Sequence, residues 1–249
     1  MIPKIIHYCW FGHNPLPASA IKCIESWRFF FPGYEIKEWT EDNFDVNMIL
    51  YTQQAYVAKK YAFVSDYARF WILYNYGGLY FDTDVEVIKP FDEIVARGAF
   101  MGIEQGASLG GKPMVAPGLG LGIEAGHPLF KKMLQIYGSL SFKKEDGSLN
   151  TETIVLYTTK ELYTSGMKAS GEIQTVCGIW IYPADFFCPM DSTTGITTLT
   201  DRTLSIHHYD CSWMDHHTIS FRLHQLKNII YRMIGYNNAN KINRILHKR

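Results

Sequence analysis

The sequence predicts an α/β fold, a mixed and mostly parallel sheet with helices packed on it, and three observations carry that prediction. Strand-like and helix-like patterns alternate through the first half of the chain, as they do when strands are joined by crossover helices. At 249 residues, with 47% hydrophobic and 15% aromatic content, the chain can build one large core. The stretch Tyr76-Gly77-Gly78-Leu79-Tyr80-Phe81-Asp82-Thr83-Asp84 leaves a helix through two glycines and ends a short apolar strand in two carboxylates. That places both acids beyond a strand's carboxyl end, where ligands bind in open α/β sheets.

Taken in order, Ile2 to Tyr8 reads as a buried strand, and Pro15 and Pro17 open a helix whose apolar positions Ile21, Ile24 and Trp27 recur at helical spacing. Pro32-Gly33 ends it, and Tyr34 to Trp39 alternates as a half-buried strand. Thr40-Glu41-Asp42-Asn43 reads as a cap into a short helix. One long helix is expected from Gln53 to Tyr76, closed by Gly77-Gly78, with its partner strand from Leu79 to Asp82. Beyond Lys89-Pro90 glycines accumulate, so Gly106 to Gly118 is expected to be a flexible loop, a candidate lid, between strands Ala99 to Glu104 and Leu119 to Ile123. Helices from His127 to Tyr137 and Thr151 to Ser165 follow, with short strands at Ile173 to Val176, Trp180 to Tyr182 and Leu204 to His207.

Composition narrows the function. The five cysteines form an odd set without a C-x-x-C pair, which argues against a disulfide framework or a zinc knuckle and for reduced thiols in a cytosolic protein. The start of the chain lacks the pattern of a cleaved signal peptide, and nowhere do 18 apolar residues run together. The formal net charge of zero hides an asymmetry: residues 218–249 carry seven basic side chains and no acid, leaving 17 basic and 24 acidic in the first 217. This divides the chain into a catalytic body, 1–217, and a basic tail, 218–249. In the tail Ile219, Leu223, Leu226 and Ile230 recur at helical spacing between Arg222, Lys227 and Arg232, the pattern of an amphipathic helix. Its face either packs on the acidic body or docks on an anionic membrane. Nucleic acid is not an expected partner.

Asp82 and Asp84, one residue apart at a strand end, can both reach a cation such as Mg²⁺ or Mn²⁺, which would in turn hold a pyrophosphate. A bare D-x-D equally caps a strand, so its surroundings decide. Asp66 and Arg69 share a helix face at i, i+3 spacing; they either pair with each other or meet sugar hydroxyls and phosphate oxygens. Trp10 follows a strand end, where an aromatic ring is either core or a platform for a nucleobase. His207 and His208 point to opposite faces of a strand, so at most one reaches the same cation. Glu104 and Glu124 flank the glycine-rich loop and are the acids expected on an acceptor side.

Together, Ile2-Pro3-Lys4-Ile5-Ile6-His7 with Trp10, Ser65-Asp66 with Arg69, Tyr76-Gly77-Gly78 with Tyr80 and Asp82-Thr83-Asp84, and His207-His208 with Ser212-Trp213 resemble the family-32 glycosyltransferases. That family, with a D-x-D sugar-binding region, includes bacterial capsule and lipopolysaccharide sugar transferases and, more distantly, yeast mannosyltransferases and clostridial glucosylating toxins. The resemblance implies a GT-A, Rossmann-like fold and a metal-dependent enzyme that takes a nucleotide-diphosphate sugar, a UDP-sugar favoured, usually with retention. Carried over by position, Trp10 would stack on the base with Tyr80, Ser212 and Trp213 also on the donor. Asp66 and Arg69 would bind the sugar. Asp82 would contact ribose or metal, and Asp84 and His207 would ligate Mn²⁺ or Mg²⁺. The acceptor implied is a glycan or lipid-linked glycan.

Two rivals remain. A haloacid-dehalogenase phosphatase also places D-x-D after an apolar strand, but Glu86 stands where that motif wants Thr or Val. A non-catalytic module could use the same carboxylates to recognise carbohydrate through a cation.

Overall fold

The computed structural model describes residues 1–191 and 194–210. In chain order its elements are β1 (Ile5–Cys9), α1 (Ala18–Phe30), β2 (Glu35–Trp39), α2 (Leu50–Val57), α3 (Tyr61–Tyr76), β3 (Gly78–Tyr80), β4 (Val85–Val87), α4 (Asp92–Arg97), β5 (Phe100–Leu109), β6 (Lys112–Ala116), β7 (Leu121–Ile123), α5 (Pro128–Gly138), α6 (Ile154–Thr164), β8 (Gln174–Val176), β9 (Ile179–Tyr182), α7 (Ala184–Phe187) and β10 (Ser205–His207). The predicted basic tail lies outside the described residues.

Eight strands form one mixed sheet in the order β2-β1-β3-β7-β5-β9-β8, with β6 joined to β5. The ladders β1–β2, β1–β3 and β5–β9 are parallel, while β7 runs antiparallel to both β3 and β5, so five of the eight strands point the same way. This is the α/β, mostly parallel arrangement read from the sequence.

Both faces of the sheet are covered, which explains why its strands read as nearly continuous apolar runs. Alternate residues along the chain feed opposite cores: Tyr80 packs with Phe70, Leu73, Phe130 and Ile154 from α3, α5 and α6, whereas Leu79 and Phe81 pack with Trp27 of α1, Phe187 of α7 and Phe91 just before α4. In α1 the buried stripe is Ala20, Cys23, Ile24 and Trp27, and the predicted core residue Ile21 is exposed.

Three expectations are corrected. The helix foreseen from Gln53 to Tyr76 is two helices, α2 and α3. Lys59 takes φ 56° and the amides of Lys59 and Lys60 donate to the carbonyls of Tyr56 and Ala55, which closes α2 in the turn normally made by glycine. The segment Thr40–Asn43 forms a turn, held by Asn43 Oδ1 on the Thr40 amide and Thr40 Oγ1 on the Asp42 amide, and starts no helix. The expected flexible loop is largely a hairpin: β5 runs on to Leu109 and returns as β6 through Gly110-Gly111, at φ 58° and 80°.

The glycine pair after α3 does what its position suggested. Gly77 and Gly78 have φ 64° and 102°, and a Cβ on Gly78 would stand 2.7 Å from the Ile5 carbonyl oxygen. Only glycine lets α3 end and β3 slide directly against β1.

Candidate active site

The carboxyl ends of β1, β3, β5 and β9 lie on one edge of the sheet, since these strands run the same way. Trp10, Asp82, Thr83 and Asp84 emerge there, and Glu104 lies in β5 just past the residues, Phe100 to Gly102, that pair with β7 and β9. Glu124 does not emerge there: β7 runs the other way, so Glu124 falls beside the chain's amino end, paired with the Met1 amine. The expectation that it sits on an acceptor side is corrected.

From β3 the chain enters a turn in which Asp82 N–H donates to Gly118 O at 3.0 Å and Val85 N–H donates to Asp82 O at 3.0 Å. The turn is anchored from α1, where Trp27 Nε1–H donates to Val85 O at 2.7 Å and Ser26 Oγ accepts from Val87 N–H at 2.9 Å. The backbone carrying both carboxylates is thereby fixed by the sheet-facing side of α1.

Asp82 faces α3. Arg69 holds it in a fork, Nη1 at 3.2 Å from Oδ2 and Nη2 at 3.1 Å from Oδ1, while Nη2 also reaches Asp66 Oδ1 at 3.3 Å and Nε donates to Ser65 O at 3.2 Å. The guanidinium is 4% exposed and lies 4.7 Å over the ring of Tyr80, which is itself buried. Tyr80 thus supports Arg69 from below. The two readings of Asp66 and Arg69 coexist: they pair with each other and, through Arg69, with the DXD turn.

Asp66 has a second partner the sequence did not reveal. Its Oδ2 accepts from Ile154 N–H at 3.3 Å, at the start of α6, where Thr153 makes no side-chain cap. Burial pushes the Asp66 carboxyl up to about 7, against the opposing pull of Arg69. The Asp82 charge adds to the rise.

Asp84 faces the other way, towards a two-stranded antiparallel sheet of β4 and β10 in which His207 is opposite Val85. His207 Nε2 is 3.1 Å from Asp84 Oδ1, and Asp84 Oδ2 accepts from Asp210 N–H at 3.0 Å. Burial would raise the Asp84 carboxyl, but His207 and these hydrogen bonds outweigh it and hold it below the usual range. For His207 burial works downward, and Asp84 reverses it to a value well above the ordinary one. His208 points to the opposite face and pairs with Glu86 at 2.8 Å.

Around His207 the edge is lined by groups that no sequence motif links. The Tyr209 ring lies tilted against His207, with centroids 4.1 Å apart, and its hydroxyl donates to Glu104 Oε1 at 3.0 Å and lies 3.0 Å from Cys188 Sγ. Burial raises the Glu104 carboxyl. Cys188 follows α7 and carries no motif. Tyr209 sits at φ 53°, a conformation that tyrosine gives no sign of.

Trp10 is half-buried at the same edge, its indole N–H donating to Asn14 O at 2.6 Å. Ser212 and Trp213 lie outside the described residues. The four described cysteines are free. Among the described residues no helix is long and apolar enough to cross a membrane.

Residues 17–101 match the family described as "Glycosyltransferase sugar-binding region containing DXD motif". Inositol phosphoceramide mannosyltransferase 1 of Schizosaccharomyces pombe is 30% identical over 111 residues, 40% of this chain and 33% of that protein. Inositol phosphoceramide mannosyltransferase 3 of the same organism is 25% identical over 170 residues, 66% of this chain and 44% of that protein. The chain therefore spans less than half the length of these curated relatives. Among solved structures, PaToxG Glycosyltransferase superposes with a TM-score of 0.51 at 19% identity, over 66% of this chain and 69% of the other, and supports the GT-A fold. Residues 17–101, which hold Asp66, Arg69, Asp82 and Asp84, thus carry the match to the glycosyltransferase sugar-binding region with its DXD motif.

Proposed function

We propose that this protein moves a hexose from a nucleotide-diphosphate sugar to a hydroxyl of a glycan or lipid-linked acceptor. One observation carries the reading: at the carboxyl edge of the parallel strands, a single turn presents one carboxylate in the fork of a buried arginine and another against an imidazole.

The second half of that turn fits a divalent cation. Asp84 Oδ1 and His207 Nε2 are 3.1 Å apart, about the spacing of adjacent ligands on a cation with bonds of roughly 2.1 Å. His207 Nδ1 is buried without a hydrogen-bond partner among the described residues. These two side chains would hold Mn²⁺ or Mg²⁺; no group of three or more His, Cys, Asp or Glu converges among the described residues, which leaves positions for diphosphate oxygens and water. Asp82, notionally a third ligand, has both oxygens engaged by Arg69.

A bound cation would supply Lewis-acid neutralisation of the charge on the departing diphosphate. The chain's own residues do the rest. Arg69, fixed by four contacts, presents a cation beside the leaving group without having to reorganise. Asp66 accepts hydroxyls of the donor sugar, and Trp10 stacks on the base. Glu104, with its raised carboxyl held by Tyr209, faces the acceptor side. No carboxylate is assigned as nucleophile, in keeping with retention by delivery of the acceptor to the same face.

A UDP-sugar donor and a role in capsule or O-antigen synthesis form the first version, with residues 218–249 docking on the inner face of an anionic membrane. The names of the curated relatives favour a second version, a mannosyl donor and an inositol-bearing lipid acceptor. A panel of UDP- and GDP-hexoses with Mn²⁺, scored by released nucleoside diphosphate, separates them. Release from one donor class, raised by the matching acceptor, supports transfer. Tight sugar-nucleotide binding without release from any donor overturns it in favour of a non-catalytic binding module.

A further inference from the structure

We propose that Gly118 is a positioning residue for the donor site: by carrying no side chain, it lets Asp82 lie in the Arg69 fork. The inference rests on the reading of this edge as the donor site, and on geometry particular to one glycine.

Gly118 closes the connection from β6 to β7, and its carbonyl accepts Asp82 N–H at 3.0 Å. It is not among the residues with positive φ, so its conformation admits any amino acid. Space alone excludes a side chain. A Cβ there would stand 1.8 Å from Asp82 Oδ2, 2.8 Å from its Cγ and 3.1 Å from Arg69 Nη1. Arg69 is buried and cannot yield, and Asp82 can yield only by swinging out of the fork towards water. Asp82 is gripped by both guanidinium nitrogens, and Arg69 is tied behind to Ser65 O and Asp66 Oδ1. A methyl group at 118 therefore has to lever Asp82 out of the fork and leave Arg69 without its partner on the turn.

Gly120, two residues on, is the internal contrast. It has φ 126°, and its Cβ would meet the Phe81 ring at 2.7 Å, inside the core. One short loop thus holds a glycine required by the fold and another required by the site.

The test is a double-mutant cycle on the full chain: Gly118→Ala, Asp82→Ala and both together, read by kcat, donor KM and melting temperature. Gly118→Ala is expected to lower kcat/KM by about ten-fold or more with Asp82 present and by less than about two-fold in Asp82→Ala, where no carboxylate remains to displace. Its melting shift should likewise appear only with Asp82 present, whereas Gly120→Ala should lower the melting temperature in both backgrounds. Equal effects of Gly118→Ala in both backgrounds, or no effect with Asp82 present, overturn the proposal. If the wild-type protein releases no diphosphate from any donor, the functional reading fails. The melting cycle then still decides the positioning claim: a shift confined to the Asp82 background supports it, and equal shifts overturn it.

Discussion

Replacing Arg69 with methionine removes the one cation between two carboxylates, and the cost can be worked from their surroundings. Asp66 has only 10% of its side chain exposed and keeps a single other partner, Ile154 N–H, whereas Asp82 is 30% exposed and can turn to water. The penalty therefore falls mainly on Asp66. An ionised carboxylate left buried without its counter-ion costs about 3–5 kcal/mol. For a chain of this size that lowers the melting temperature by roughly 10 °C. The cost should also depend on pH, with a definite sign. The Asp66 carboxyl is raised to about 7 in the folded protein, so the stability linked to its neutral form is fully present below the unfolded value near 3.8 and is lost as pH rises through 7. At pH 5 Asp66 is already mostly neutral, Arg69 matters chiefly to the partly exposed Asp82, and the loss should shrink to about 1–2 kcal/mol. Urea unfolding of Arg69→Met and wild type at pH 8 and pH 5 measures both numbers. An equal loss at the two pH values, or none at pH 8, would refute the assignment of Asp66 as the group Arg69 neutralises.

Other consequences are more local. Buried His7 accepts from Trp39 Nε1–H through Nδ1 and faces Gly77 O through Nε2, and burial lowers it to about 4, so the neutral ring is the folded form. The stability it contributes is present above pH 6.5 and is lost as pH falls towards 4, by about 3 kcal/mol, a loss that His7→Gln should abolish in denaturant titrations across that range. Lys59→Gly relieves a left-handed lysine at the end of α2 and should raise stability by about 0.5–1 kcal/mol by urea unfolding; a decrease would contradict the capping geometry. Gly78→Ala forces a Cβ against the Ile5 carbonyl at positive φ and should cost at least about 2 kcal/mol in thermal melts, with no relief from pH.

What could be read from the sequence follows from how local the signals are. Periodicity located α1 because it buries one face, and the glycine pair after α3 marked the entry to β3. The break between α2 and α3 was illegible because a lysine occupies the left-handed position where glycine would have announced a stop. Asp82, Asp84, Asp66 and Arg69 stood out by composition and spacing, but their division of labour did not. It depends on β4 and β10, strands of three residues whose pairing spans over a hundred residues and turns His207 onto Asp84. The direction of β7 was equally hidden, and with it the fate of Glu124. The glycine-rich stretch looked flexible because its turn residues outweigh its strand residues in any short window, whereas ladder bonds between β5 and β6 order it.

The most direct measurement is nucleoside-diphosphate release from the preferred sugar nucleotide by wild type and Asp84→Ala, each with Mn²⁺ and with a chelator. Asp84 and His207 are the donors that would hold the cation opposite the leaving diphosphate. Turnover should therefore fall by about 10²–10³ in the variant, by analogy with loss of an oxyanion donor. Wild type in chelator should fall similarly. Full turnover by Asp84→Ala in the presence of the chelator would contradict the account.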